Sequence, residues 1–125
     1  NGVDITVETC PHYLALNIED FERLRGTAKC APPLREQKHV ESLWEALSNG
    51  EIDTIGSDHS PAPPSMKIAS SDDIFSAWGG ISGAQSTLNI MLEEGYFKLR
   101  IDAYGFYQYF RTQSPSNRFE PNTIG

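Results

Sequence analysis

The chain has 125 residues, 38% of them apolar and 10% aromatic, which is enough for one folded domain with a modest core. Its net charge of −7 disfavours nucleic acid and anionic membranes as partners. No run approaches the roughly 18 apolar residues that a membrane-spanning helix needs.

Asn1-Gly2-Val3-Asp4-Ile5 has neither a basic start nor an apolar h-region, so no secretory signal is visible, and the absence of an initial Met suggests a chain cut from something longer. Cys10 and Cys30 lack CxxC spacing and read as reduced thiols of a cytoplasmic protein.

Val3 to Glu8 alternates apolar and polar residues and reads as a strand, with Pro11 interrupting where the strand should finish. Asn17 is a plausible cap for a short helix over Ile18 to Arg25, stopped by Gly26. Lys29-Cys30-Ala31-Pro32-Pro33-Leu34-Arg35 reads as a stiff extended loop. Glu36 to Asn49 is the clearest helix. Its Val40, Leu43, Trp44 and Leu47 form one apolar face, and Gly50 stops it.

Ile52 to Gly56 is a second strand, followed by Ser57-Asp58-His59-Ser60-Pro61. Pro61, Pro63 and Pro64 then argue against regular structure as far as Asp73. Trp78-Gly79-Gly80-Ile81-Ser82-Gly83 leads into a helix expected to bury Leu88, Met91 and Leu92. Ile101 to Phe110 reads as helical despite Gly105, and Ser114-Pro115 could open a last helix.

Two strands separated by helices should be parallel, and a parallel sheet of two strands leaves both edges open. The expectation is therefore a piece of a larger parallel α/β structure, most simply the tail of a barrel. In such a sheet both strands end on one face. His12, Asp58 and His59 would converge there, where a carboxylate and imidazoles can hold a metal or move a proton. His39, in the middle of the amphipathic helix, reads as a surface residue.

Four ordered motifs carry a resemblance. They are Glu8-Thr9-Cys10-Pro11-His12-Tyr13-Leu14, Lys29 to Arg35, Gly56 to Pro61, and Trp78 to Gly83. Together they resemble the cyclic amidohydrolases, most nearly the C-terminal part of an allantoinase catalytic barrel. The likeness is strong over residues 1–99 and weak over 100–125. There, Ser114 to Phe119 only loosely resembles the family's Asn-Pro-Ala-x-x-Phe signature.

The resemblance implies an α/β fold, namely the last two strands and their helices of a (β/α)8 barrel. It also implies two divalent metal ions, expected to be zinc, bridged by a carboxylated lysine that lies outside this chain. Asp58 matches the family's last metal ligand. It would hold one metal, take a proton from the attacking nucleophile and return it to the leaving nitrogen. Ala31 and Ser86 match positions whose main chain contacts the substrate, and Cys30, Ser60 and Gly80 would line the pocket. His12 and His59 then become supporting residues behind the ligands.

The implied substrate is a small cyclic ureide, allantoin opened to allantoate, in a homo-oligomer (a tetramer) of the complete enzyme. Ala62-Pro63 after Pro61, and Gln85 where Glu is commoner, separate the chain from dihydroorotases and hydantoinases, which are the alternatives. A non-catalytic scaffold relative is another. With only Asp58 of the ligand set present, the 125 residues alone are expected to be inactive.

Overall fold

In this computed structural model, residues 5–68 and 73–111 are described. Val3 and Asp4, the segment 112–125 and its Ser114-Pro115 lie outside them.

Strand β1 (Glu8–Thr9) pairs in parallel with β2 (Thr54–Ile55), with Glu8 opposite Thr54 and Thr9 opposite Ile55. Both strands are shorter than the sequence pattern suggests. The extended chain before them still pairs, since the Val7 carbonyl accepts from Asp53 N at 2.8 Å and from Thr54 N at 3.2 Å. The connection from β1 to β2 carries three helices: α1 (Pro11–Ala15), α2 (Ile18–Leu24) and α3 (Gln37–Ser48).

Helix α1 corrects the reading of Pro11 as a simple interruption. Proline at the first helical position needs no donor there, and its fixed φ suits the turn. Helix α2 has the expected Asn17 cap, whose side chain accepts from Glu19 N and Asp20 N. Gly26 is not its left-handed stop. The positive φ falls on Arg25 (52°) instead, and Gly26 is glycine because a Cβ there would lie 1.9 Å from the Lys67 carbonyl oxygen. Helix α3 ends as expected, with Gly50 at φ 73°.

Pro64 likewise opens a short helix, α4 (Pro64–Ile68), where the proline run argued against one. After a 3₁₀ turn (Ile74–Ser76), α5 (Thr87–Ile90) runs on into a π-helical stretch, Met91–Tyr96. Met91 is buried and Leu92 partly so, but Leu88 is 49% exposed. The buried positions on that element are Thr87, Met91 and Gly95, because Gly95 presses on the Trp44 ring and sets which side faces inward. Helix α6 (Ala103–Arg111) starts after Asp102, whose carboxylate accepts from Gly105 N at 2.7 Å.

The main core joins Leu14, Val40, Trp44, Leu47, Ile55 and Met91, together with Ile52, Ile101 and Tyr109. Trp44 Nε1 donates to the Leu14 carbonyl at 2.9 Å, and Tyr109 hydroxyl to the Leu47 carbonyl at 2.5 Å. Thus α1, α3 and α6 are fixed to one another behind the strands, and the C-terminal strand ends are held in place.

Candidate active site at the carboxyl ends of the strands

β1 delivers Cys10 and His12 at its carboxyl end, and β2 delivers Asp58 at the same end. Ligating atoms of Cys10, His12 and Asp58 all lie within 4.8 Å of one another. The sequence reading brought His12 and Asp58 together but treated Cys10 as an ordinary thiol. The missed signal was its place one residue beyond β1, at the cap position of α1, where its side chain makes no capping bond.

His12 is 3% exposed, and neither ring nitrogen has a hydrogen-bond partner. Burial pushes the pKa of its imidazole down, while the Asp58 carboxylate partly offsets that. Its ring lies against Tyr13 at 4.2 Å between centroids. Burial, then the nearby Asp58 and Glu8 carboxylates, raise the Cys10 thiol to about 11. Asp58 itself is exposed, in a left-handed turn at φ 42°. A solvent-open carboxylate in front of a buried imidazole can hold a cation or carry a proton.

His59 points away from this group. Its Nδ1 accepts from Ala84 N at 3.2 Å, and its main chain bridges to Ile81. Ser60 continues the bridge through its N–H to the Ile81 carbonyl at 2.9 Å, and its hydroxyl accepts from Trp78 Nε1 at 3.3 Å. Gly80 packs on Ser60 so tightly that a Cβ would fall 2.3 Å from Oγ. Ser60 and Gly80 line a cleft of about 380 Å³ with Pro61, Lys67 and Ile81.

Cys30 is not one of the three grouped donors, although its thiol lies near enough to feel the Asp58 carboxylate. It is buried with Ala28 and Leu34 and borders a separate apolar hollow of about 280 Å³. Ala31 and Ser86 are exposed. The Ser86 main chain bonds Gly83 O and Ile90 N, leaving one lone pair of its carbonyl open. His39 lies on the surface, 3.2 Å from Glu36. A larger hollow, about 670 Å³, opens near Thr6, Asp53 and Tyr109 at the other end of the strands and contains none of these residues.

Comparison with curated proteins finds allantoinases. The one from Deinococcus radiodurans is 64% identical over 95 residues, covering 76% of this chain and 21% of that protein. The one from Rubrobacter xylanophilus is 57% identical over 95 residues, covering 76% and 20%. This chain is related to the allantoinases.

Among solved structures, an L-hydantoinase (dihydropyrimidinase) from Arthrobacter aurescens superposes with a TM-score of 0.82. It is 36% identical, and the match covers 86% of this chain and 24% of that one. A dihydropyrimidinase from Brevibacillus agri gives 0.81 at 33% identity, covering 89% and 25%. The fold is thus that of the amidohydrolase barrels, represented by two parallel strands and their helices. No family model matches the chain. It spans about a fifth of the length of the curated allantoinases it matches.

Proposed function

We propose that this chain forms the part of a cyclic amidohydrolase that supplies Asp58 to the reaction, opening allantoin to allantoate. What carries the reading is the place of Asp58. It is an exposed carboxylate at the carboxyl end of a parallel strand, beside a buried imidazole, in a chain 64% identical to an allantoinase over 95 residues.

The donor set fits a metal. The carboxylate is open to solvent, and His12 has two unpartnered nitrogens beside it. Divalent ions bound in such a mouth supply a hydroxide nucleophile and polarise the carbonyl. Asp58 would hold one ion. It would accept the proton released as the nucleophile adds to the ring carbonyl, then give it to the nitrogen as the C–N bond breaks. Ser60 and Gly80 would shape the cleft wall, Cys30 the layer behind it, and the Ala31 and Ser86 main chains would meet the ring amide. His59 would hold the Ile81–Ala84 loop.

Zinc is the expected metal, as an ion pair bridged by a carboxylated lysine from outside this chain, in a cytoplasmic homotetramer acting on a small cyclic ureide. Among the described residues, no helix is long and apolar enough to cross a membrane.

The test grafts residues 1–99 in place of the matching segment of the Deinococcus radiodurans allantoinase. Turnover of allantoin should persist, and Asp58→Asn in the graft should lower it by at least about 10²–10⁴-fold, the usual loss with a general base. A folded, metal-loaded graft unaffected by Asp58→Asn would remove Asp58 from the mechanism. The hydantoinase likeness makes the second reading concrete: a graft that opens unsubstituted hydantoin faster than allantoin would favour it.

A further inference from the structure

We propose that Cys10, His12 and Asp58 together form a binding site for one borderline-soft divalent cation of the zinc and cadmium class, with the Cys10 thiolate as a direct ligand. The proposal shares Asp58 and the open His12 nitrogens with the functional reading above and rests on it there, and the Cys10 thiol is what it adds.

Three observations converge. The Cys10 Sγ, a His12 nitrogen and an Asp58 carboxylate oxygen lie within 4.8 Å of one another. A tetrahedral site with bonds of about 2.0–2.3 Å places its donors about 3.3–3.8 Å apart, so modest side-chain rotation closes the set. The second observation is independent of the cluster. His12 is 3% exposed, and both ring nitrogens lack any partner, although buried polar groups are nearly always hydrogen-bonded. A cation on one nitrogen resolves that deficit. Third, the donors come from a rigid frame: Cys10 and His12 flank the fully buried Pro11 at the start of α1, and Asp58 closes a left-handed turn after β2.

The donor chemistry sets the class of ion. A thiolate, an imidazole and one carboxylate select zinc or cadmium over magnesium or calcium, which want six or more oxygens. The exposed Asp58 edge gives the entry path and leaves a fourth position for water. Binding exchanges the Sγ–H bond of Cys10 for an Sγ–metal bond, and the proton passes to the buffer. Nothing is oxidised or reduced.

The experiment titrates the 125-residue chain with cadmium chloride while following the sulfur-to-cadmium charge-transfer absorption, and with zinc by calorimetry. One equivalent should produce the band with release of a proton. Zinc should protect Cys10, but not Cys30, from alkylation as read by peptide mapping, a measurement that needs no variant. Cys10→Ser should abolish the band, and His12→Gln and Asp58→Asn should each weaken zinc by at least about tenfold. His39→Gln, on the surface of α3, should change neither.

A band that survives Cys10→Ser, or equal alkylation of Cys10 with and without zinc, overturns the proposal. If zinc binding is lost with Asp58→Asn and unchanged with Cys10→Ser and His12→Gln, the thiol site fails while the amidohydrolase reading stands. An intact thiol site in a graft that opens no cyclic amide would leave the reverse.

Discussion

Lys67 Nζ donates to the Gly80 carbonyl at 2.5 Å, and its other two bonds go to the carbonyls of Trp78 at 3.0 Å and Lys29 at 3.2 Å. All three ammonium protons are thus directed at main chain. The Lys29 carbonyl also accepts from Gly80 N at 2.9 Å, so one lysine ties the glycine-rich loop to the segment carrying Cys30. Burial, then the neighbouring Lys29 charge, push its pKa down, with Cys30 opposing. These bonds hold the wall of the Ser60 cleft in place.

Lys67→Met should therefore destabilise the chain by about 1–3 kcal/mol, the scale of losing hydrogen bonds from a charged donor. Lys67→Arg should not restore it, since a planar fork cannot converge on three carbonyls. The urea midpoint in dilute solution and the rate of proteolysis within 73–83 report both. Wild-type values for Lys67→Met would remove this lysine from the framework.

Gly83→Ala should damage the loop that carries Asp58. A Cβ on Gly83 would sit 2.3 Å from the Ser57 carbonyl oxygen, which is main chain and cannot swing aside. We expect a loss of about 1–3 kcal/mol, as for overpacking elsewhere. Gly79→Ala is the control, with its nearest neighbour, Lys29 Cε, 4.0 Å away. Thermal unfolding of the pair should separate them, and equal midpoints would contradict the packing argument.

The helix α3 was legible because its apolar residues, Val40 to Leu47, recur at helical spacing over two turns, enough to outvote local noise. The Asn17 cap was legible for a similar reason: Asn and Asp three apart at a helix start satisfy each other's donors. Helices α1 and α4 were not. Each has five residues and begins on a proline, so the same residue signals both a break and a first turn. Leu88 misled because burial on the α5 element is set by the close approach of Gly95 to Trp44, a tertiary contact. In the site, motif order led to Asp58. Cys10 was hidden because one of its two partners, Asp58, arrives from a turn far along the chain.

Acid should weaken the start of α2. The Asp20 carboxylate accepts from Arg23 at 2.6 Å and from Asn17 N at 3.1 Å, and these bonds, Arg23 first, hold its pKa below the ordinary 3.8. A depressed carboxylate contributes stability above its unfolded value and loses it as pH falls through the folded one. Stability should thus fall below about pH 4 in part through Asp20. Asp20→Asn should flatten that limb, and Asn17→Ala should cost about 0.5–2 kcal/mol at neutral pH. Urea titrations at several pH values check the sign. An unchanged acid limb in Asp20→Asn would contradict it.

The last expectation concerns the open sheet. Among the described residues the sheet has two strands, so each has an unpaired edge. Just before β1, Ile5 is 69% and Val7 45% exposed, a run of extended apolar chain beside that edge. Charged residues are the usual guard against edge-to-edge pairing, and neither position carries one. The 125-residue chain alone should therefore self-associate, its weight-average mass rising with concentration in sedimentation equilibrium. Ile5→Lys with Val7→Lys should hold it at the monomer mass while leaving the circular dichroism of its helices unchanged, because both side chains already face solvent. Phe75 and Leu99, exposed at 89% and 88% on other surfaces, supply the comparison. If Phe75→Lys with Leu99→Lys dissolves the association and the strand pair does not, the contact lies away from the sheet edge. A native chain that stays monomeric at every concentration would show that two open edges and these apolar side chains are too little to drive pairing.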